Sequence, residues 1–512
     1  MGDAVGLRSE RGPVLAAVML ATALVAIDAT IVATAVPSIV ADIGGFTEFP
    51  WLFSVYLLAQ AVSVPVYGKL LDLFGRKPIV LAGIALFLIG SIGGGAAGSV
   101  GVLIAFRAVQ GLGAGAIQPS TITMIGDLYS VRERAKVQGY IAGVWGVSSV
   151  LGPALGGLLS EWASWRWIFF VNIPLCLIAA AVIWRHFGER VTRGKPAIDY
   201  RGAALLTSGL TLIILGLLEG GQSWAWGSVT GLVVLGGGAA LLVAFGFVER
   251  TATDPVLPLW VFRRRLLVSA GLTSAGVGAV LLGLTSYVPT YAQTVLGASP
   301  LVAGFALAML LIGWPLSASR SGAIYLRLGF RGCALIGTAI VLAGSLPLLL
   351  LDERSSVLQV GAICLFIGVG MGLVGPPIVV AAQASVGWAE RGVVTANSVF
   401  LRSLGSAIGV AAFGAVANAT LRGDDATAGT GTGGTLSGDG ASAGAGATPG
   451  GSGADPALLT SAVQHIFVGL IVVAALMVVM VLLMPRGDRP GPGAGVSGRA
   501  AADQAGGEDD LG

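Results

Sequence analysis

The stretch VLIAFRAVQGLGAGAIQPSTITM, Val102 to Met124, is apolar for long enough to cross a bilayer, yet it carries Arg107 well inside. A guanidinium in hydrocarbon is costly, so the stretch demands a partner for that charge. Gly111 and Gly115 add a small-xxx-small face along which another helix backbone can approach closely. Shifted by 257 residues the pattern returns: Gly111, Gly113, Gly115 and Pro119 match Gly368, Gly370, Gly372 and Pro376, while Cys364 stands in place of Arg107. Repeated membrane segments are how many secondary transporters are built, with the binding site near the repeat interface.

Composition agrees with a polytopic membrane protein. Of 512 residues, 55% are hydrophobic and 11% charged, which excludes a soluble domain of ordinary make-up. Cys176, Cys333 and Cys364 lie in separate apolar segments and His186 and His465 are isolated, so neither a disulfide framework nor a metal site is expected. No cofactor is expected either, and nothing points to nucleic acid. The first apolar run, 13 to 36, is too long for a signal-peptide core and is read as a retained helix. Fourteen runs are long enough to span, which predicts an all-α integral membrane fold. With both termini cytoplasmic, 24 of the 29 basic residues fall on the inner side and Arg166, Arg354 and Arg422 on the outer, fixing the orientation by the positive-inside rule.

The chain divides accordingly. Residues 1–12 are a cytoplasmic tail, 13–190 the first six-helix half, 191–265 a linking segment with helices seven and eight, and 266–484 the second six-helix half. Within the last, 421–460 is Gly, Ala, Thr, Ser and Asp without Lys or aromatics, and is expected to be a disordered external loop; 485–512 reads as a disordered cytoplasmic tail.

Asp28 is the one acid deep in a predicted span. It lies about 22 Å from the cytoplasmic start of its helix, and Arg107 about 8 Å from the outer start of its own, antiparallel helix, so both fall in the outer half. The pair reads either as a structural ion pair or as a protonatable coupling site. In the second half Arg402 lies about 15 Å into its helix; it is either satisfied by carbonyls and neighbouring helices or takes a substrate or gating role. Tyr56, Gln60, Gln118, Trp145, Tyr287 and Asn397 are the remaining candidates for lining a cavity.

The loop GKLLDLFGRK, Gly68 to Lys77, resembles the signature cytoplasmic loop of the major facilitator superfamily, with Gly68, Asp72, Gly75, Arg76 and Lys77 in place. The resemblance implies a charge relay holding two six-helix halves together on the inner side. Asp127 and Arg134 in the next cytoplasmic loop resemble its partners, the alternative being a solvated loop pair. The echo GAIYLRLGFR, Gly322 to Arg331, keeps both glycines but has Leu326 in place of the acid. Arg107, Gln110, Gly111 and Gly115 match the family's second motif, whose arginine is assigned to proton transfer. Gly152, Pro153, Gly156 and Gly157 resemble the antiporter motif, with Ser148 where its first glycine belongs.

The count of six, two and six, with LVAIDATIVATAVPSIVADIG around Asp28 and WRWIFFVNIP opening the sixth segment, resembles the fourteen-helix drug:proton antiporter family of multidrug and quaternary-ammonium exporters. That resemblance implies a proton-coupled exporter of amphipathic small molecules, not an enzyme, working by alternating access as a monomer in the inner membrane of a bacterium. Four lysines against 25 arginines fit a high-GC genome. A cavity lined by segments 1, 4, 9 and 12 would hold all its charge in the first half, and with one deep acid it favours monocations or neutral lipophiles over dications. A metabolite symporter or importer of the same fold is the alternative; a non-transporting receptor and an intramembrane enzyme are more remote, the latter for want of a nucleophile or metal constellation.

Overall fold

With no water in hydrocarbon to satisfy the backbone, each apolar run closes as a helix. The computed structural model describes residues 6–44, 48, 51–189, 199–220, 224–252, 254–427 and 456–486. The first half comprises α1 (Gly12–Ile43), α2 (Trp51–Phe74), α3 (Arg76–Gly95), α4 (Val100–Leu128), α5 (Val131–Trp162), the single turn α6 (Trp167–Phe170) and α7 (Asn172–His186). The linking pair is α8 (Tyr200–Glu219) and α9 (Val229–Glu249). The second half comprises α10 (Arg265–Thr294), α11 (Pro300–Ser345), α12 (Val357–Ala384), α13 (Arg391–Thr427) and α14 (Pro456–Leu483).

Helix starts follow the polar residues that break the apolar runs. Ser99 accepts from the Val102 amide to open α4, and the reciprocal pairs Ser130 with Glu133 and Ser356 with Gln359 open α5 and α12. The α2–α3 turn is made at Gly75 with φ 91°, and its counterpart inside α11 at Gly329 with φ 79°. Few side chains tolerate that backbone, so glycine holds both copies of the turn. Gly329 divides α11 into two arms; counting both, the thirteen helices long and apolar enough to span make fourteen crossings among the described residues.

The repeat is a repeat of packing. In the first half α4 lies against α2 and α3, and α1 against α5 and α7; in the second, α12 lies against both arms of α11, and α10 against α13 and α14. Two seams join the halves: α2 on α13, and α5 on α11. A Cβ on Gly68 would meet Ala396 and the Gly392 carbonyl, and one on Gly322 would meet Ala135. Gly322 is the repeat partner of Gly68, and Ala135 that of Gly392. The α8–α9 pair stands outside this symmetry, α8 packing on both α2 and α13.

The expected external loop 421–460 is narrower than its composition implied. Helix α13 runs to Thr427 and α14 begins at Pro456, a residue well suited to a first helical position. The remainder of that loop, and most of the tail 485–512, lie outside the described residues.

Candidate functional site

Asp28 and Arg107 meet directly. Arg107 Nη1 donates to Asp28 Oδ2 at 2.6 Å, and Gln110 Nε2 donates to Asp28 Oδ1 at 2.9 Å, so both carboxylate oxygens are engaged. Arg107 makes two further bonds: Nε donates to the Leu52 carbonyl at 3.0 Å, and Nη1 also donates to Gln110 Oε1 at 3.0 Å. Tyr56 closes the site from above, its ring 4.2 Å from the guanidinium carbon. Gln110 Nε2 continues to Ser91 Oγ at 2.9 Å, which accepts from Asn172 Nδ2 at 3.4 Å. Asp28 is 0% and Arg107 1% exposed, so α1, α2, α3, α4 and α7 are tied by one dry polar network. Close approach of α4 and α2 is what makes it possible, since a side chain on Gly111 or Gly115 would strike the Tyr56 or Gln60 backbone.

A second network joins the halves on the face that bears the α2–α3 turn, here called the basic face. Arg76 is fully buried: Nε pairs with Asp127 at 2.7 Å, Nη2 donates to the Trp388 carbonyl at 2.6 Å, and its guanidinium carbon lies 3.7 Å from the Trp388 ring centre. Asp72 accepts from the Gly392 and Val393 amides, both at 2.8 Å, capping α13. Asp127 takes a second cation, Arg391 Nη1, at 2.9 Å. Arg134 does not pair with Asp127. It is buried, donating to the Gly126 and Tyr129 carbonyls and to Gln383 Oε1 at 3.3 Å. Among the described residues Lys77 pairs with no acid; its ammonium donates to the Trp184 carbonyl. Its amide and that of Arg76 donate to Glu189, which lies 3.7 Å from the Arg76 side chain.

Glu189, Gln383, Trp388 and Arg391 were not foreseen. The repeat held one signal, for Arg391 is Arg134 shifted by 257. The others carry none, since their partners lie in remote segments.

Of the α5 motif glycines, two pack on α1: a Cβ on Gly152 would collide with Thr30, and one on Gly156 with Thr34 and Ile31. Gly157 does not share that face. Nothing lies within 4 Å of its Cβ position, because it is one residue, and about 100° of helix, away from the α1 face. Pro153 stands beside Gly152, and Ser148, at the place of the first motif glycine, is buried on the same face.

The six cavity candidates divide. Gln60 and Gln118 are partly exposed and hydrogen-bonded at 3.3 Å, and Trp145 is 40% exposed. Tyr56, Tyr287 and Asn397 are buried: the first under Arg107, the second edge-on to Phe413, the third against α10 near Gly271. Arg402 is the charged side chain that the second half carries deep in a span. It is partly exposed, between the α13 row that meets α2 (Ala396, Val399, Ala407) and the row that meets α10 (Leu401, Gly405, Gly409).

Residues 18–410 match the family profile described as Major Facilitator Superfamily. The multidrug transporter protein MdtP of Bacillus subtilis is 34% identical over 418 residues, covering 81% of this chain and 76% of the relative. Multidrug resistance protein 3 of the same organism is 34% identical over 405 residues, 79% of each chain. An efflux pump, dotC, of the fungus Dothistroma septosporum is 34% identical over 409 residues, 78% of this chain and 70% of the relative. Among solved structures, the human organic anion transporter MFSD10 superposes with TM-score 0.61 at 15% identity, covering 92% of this chain and 99% of that one. The proton:xylose symporter XylE also gives 0.61, at 13% identity, covering 92% and 95%. At such identities the superpositions speak to fold alone.

Proposed function

This chain belongs to the major facilitator superfamily, a transporter family and not an enzyme family, and from that premise we propose a proton-coupled exporter of amphipathic or lipophilic small molecules. One observation carries the proton coupling: Asp28, deep in α1, has both oxygens bound by groups of α4 and no contact with bulk water. A proton arriving on Asp28 neutralises it and weakens its bond to Arg107, freeing α1 from α4. Because α1 is keyed into α5 at Gly152 and Gly156, and α5 meets α11 at Gly146 and Gly139, that movement reaches the seam between the halves. The multidrug and efflux-pump relatives support export, as does the Gly–Pro motif of α5.

With the basic face cytoplasmic, as the distribution of arginine and lysine requires, the network of Arg76, Asp127, Asp72 and Arg391 holds the inner side closed. The conformation described is then the outward-facing one of an alternating-access cycle. No cofactor enters: the proton gradient drives the cycle, and the partners are protons, substrate and the bilayer around a monomer.

The test is export from cells expressing the protein, using a panel of fluorescent amphiphiles of positive, neutral and negative charge. Export abolished by a protonophore, and lost on Asp28→Asn in protein still folded and present in the membrane, is the expected result. Gradient-independent movement, or Asp28→Asn exporting at the wild-type rate, would refute the coupling. Net accumulation of any panel member would favour import.

A further inference from the structure

Charge accounting inside the bundle leads to an unanticipated substrate class. Among the described residues, three acidic or basic side chains lie deep in predicted spans, and two of them, Asp28 and Arg107, bond to each other in a sealed pair. Arg402 is left, and among the described residues no hydrogen bond, ion pair or aromatic ring meets its guanidinium. Arginine does not deprotonate in proteins, so this position holds a full positive charge. An unanswered charge at the depth of Arg402, about 15 Å along α13, is among the most expensive arrangements a membrane protein can keep.

Its placement says what the charge faces. Ile408, 49% exposed, marks the lipid side of α13, and Arg402 is turned away from it, into the space between α10 and α2. Trp145 is its repeat equivalent on α5, since 145 and 402 differ by the same 257 residues, and Trp145 presents 40% of its surface. The repeat-equivalent positions of the two halves thus carry a cation and a broad aromatic side chain, both accessible. Gln60 and Gln118, partly exposed on α2 and α4, are neutral hydrogen-bonding groups.

We propose that Arg402 is the anchor for a negatively charged group of the substrate, and that the transported class is aromatic amphiphiles bearing a carboxylate or comparable anion. This rests on the transport reading above and reverses the expectation of monocations. Arg402 offers planar, paired donors that match a carboxylate, and a bound anion would answer the charge that the protein leaves unanswered. A lipophilic cation would instead meet uncompensated repulsion, since the one deep acid is consumed by Arg107.

Binding to the purified full-length protein tests this without any gradient. Three tritiated probes share a naphthylbutyl body and end in carboxylate, alcohol or trimethylammonium; scintillation proximity gives their affinities. Wild type should bind the carboxylate roughly tenfold or more above the alcohol, the size expected of a charge-assisted hydrogen bond, and the ammonium least. Arg402→Gln should remove the carboxylate preference while holding the alcohol within about twofold, and Arg402→Lys should keep part of it. A wild type without the preference, or Arg402→Gln retaining it, overturns the proposal. If the glutamine variant binds none of the probes, Arg402→Lys decides: carboxylate no better than alcohol also overturns it. Charge preference without proton-driven export would sink the transport reading and leave the anion site standing; export of cations alone would do the reverse.

Discussion

Asp28 and Arg107 are each tolerable only because of the other. Truncating Arg107→Ala strands a buried carboxylate, which costs roughly 3–5 kcal/mol. Asp28→Asn combined with Arg107→Ala should recover much of that. Thermal unfolding of the purified variants checks it, and a double variant no more stable than Arg107→Ala alone would contradict the pairing. Asp42, beyond the membrane-spanning part of α1, behaves differently. Hydrogen bonds from Arg166, at 2.6 Å, and from Trp165 hold its carboxyl below its ordinary value of 3.8. A depressed value means the stabilisation is complete above the unfolded pKa and lost as pH falls through the folded one. Asp42→Asn should therefore flatten the pH dependence of unfolding only below about pH 4, and the effect should be small because the pair is exposed. Charges in apolar runs stand out in a sequence, which is why Asp28, Arg107 and Arg402 were legible. The Leu52 carbonyl beneath Arg107 and the Ser91–Asn172 extension were not, because a backbone carbonyl has no sequence signature and Ser and Asn are common in helices.

Helices in lipid are apolar around their whole circumference, so hydrophobic periodicity does not reveal which face meets a neighbour. Small residues partly replace that signal. In the α5 motif Gly152 and Gly156 lie against α1 and Gly157 does not, a difference that a one-letter pattern cannot express because adjacent residues fall on different faces. The distinction gives a paired test. Gly156→Val should abolish transport and lower stability by roughly 1–3 kcal/mol, the usual range for overpacking, while Gly157→Val, with open space around it, should do neither. Transport assays with membrane-abundance controls decide the matter; equal effects at both positions would remove α1 contact as the reason for the motif. In α11 the second copy of the loop has Leu326 in place of the acid. Backbone geometry persists there through Gly329, while among the described residues the ionic latch is built on the first copy.

Across the whole molecule, the proposed mechanism has the latch on the basic face set which side is closed. Asp127 is its centre, since it binds Arg76 from its own half and Arg391 from the other. Asp127→Asn weakens two charge-assisted contacts and should shift the population away from the basic-face-closed state by roughly tenfold or more. Spin labels at Arg132 and Arg327, both exposed near the second seam, would report this as a longer-distance population in double electron–electron resonance. An unchanged distribution would show that apolar seam packing, not the latch, sets the balance. The two-half plan was legible from the 257-residue repeat, whereas Gln383 and Trp388 bond to groups 261 and 312 residues away, a separation that no local pattern encodes.

The linking helices alter what the bilayer can deliver. Leu206, Leu210 and Ile214 of α8 pack into the same apolar cluster as Ala61 and Val64 of α2 and Val393 and Val399 of α13, covering that seam. The α5–α11 seam has no such cover among the described residues, and Val147, Val150 and Leu151 of α5 stay exposed beside it. On the proposed transport reading, a compound dissolved among the acyl chains would thus meet one uncovered seam instead of two.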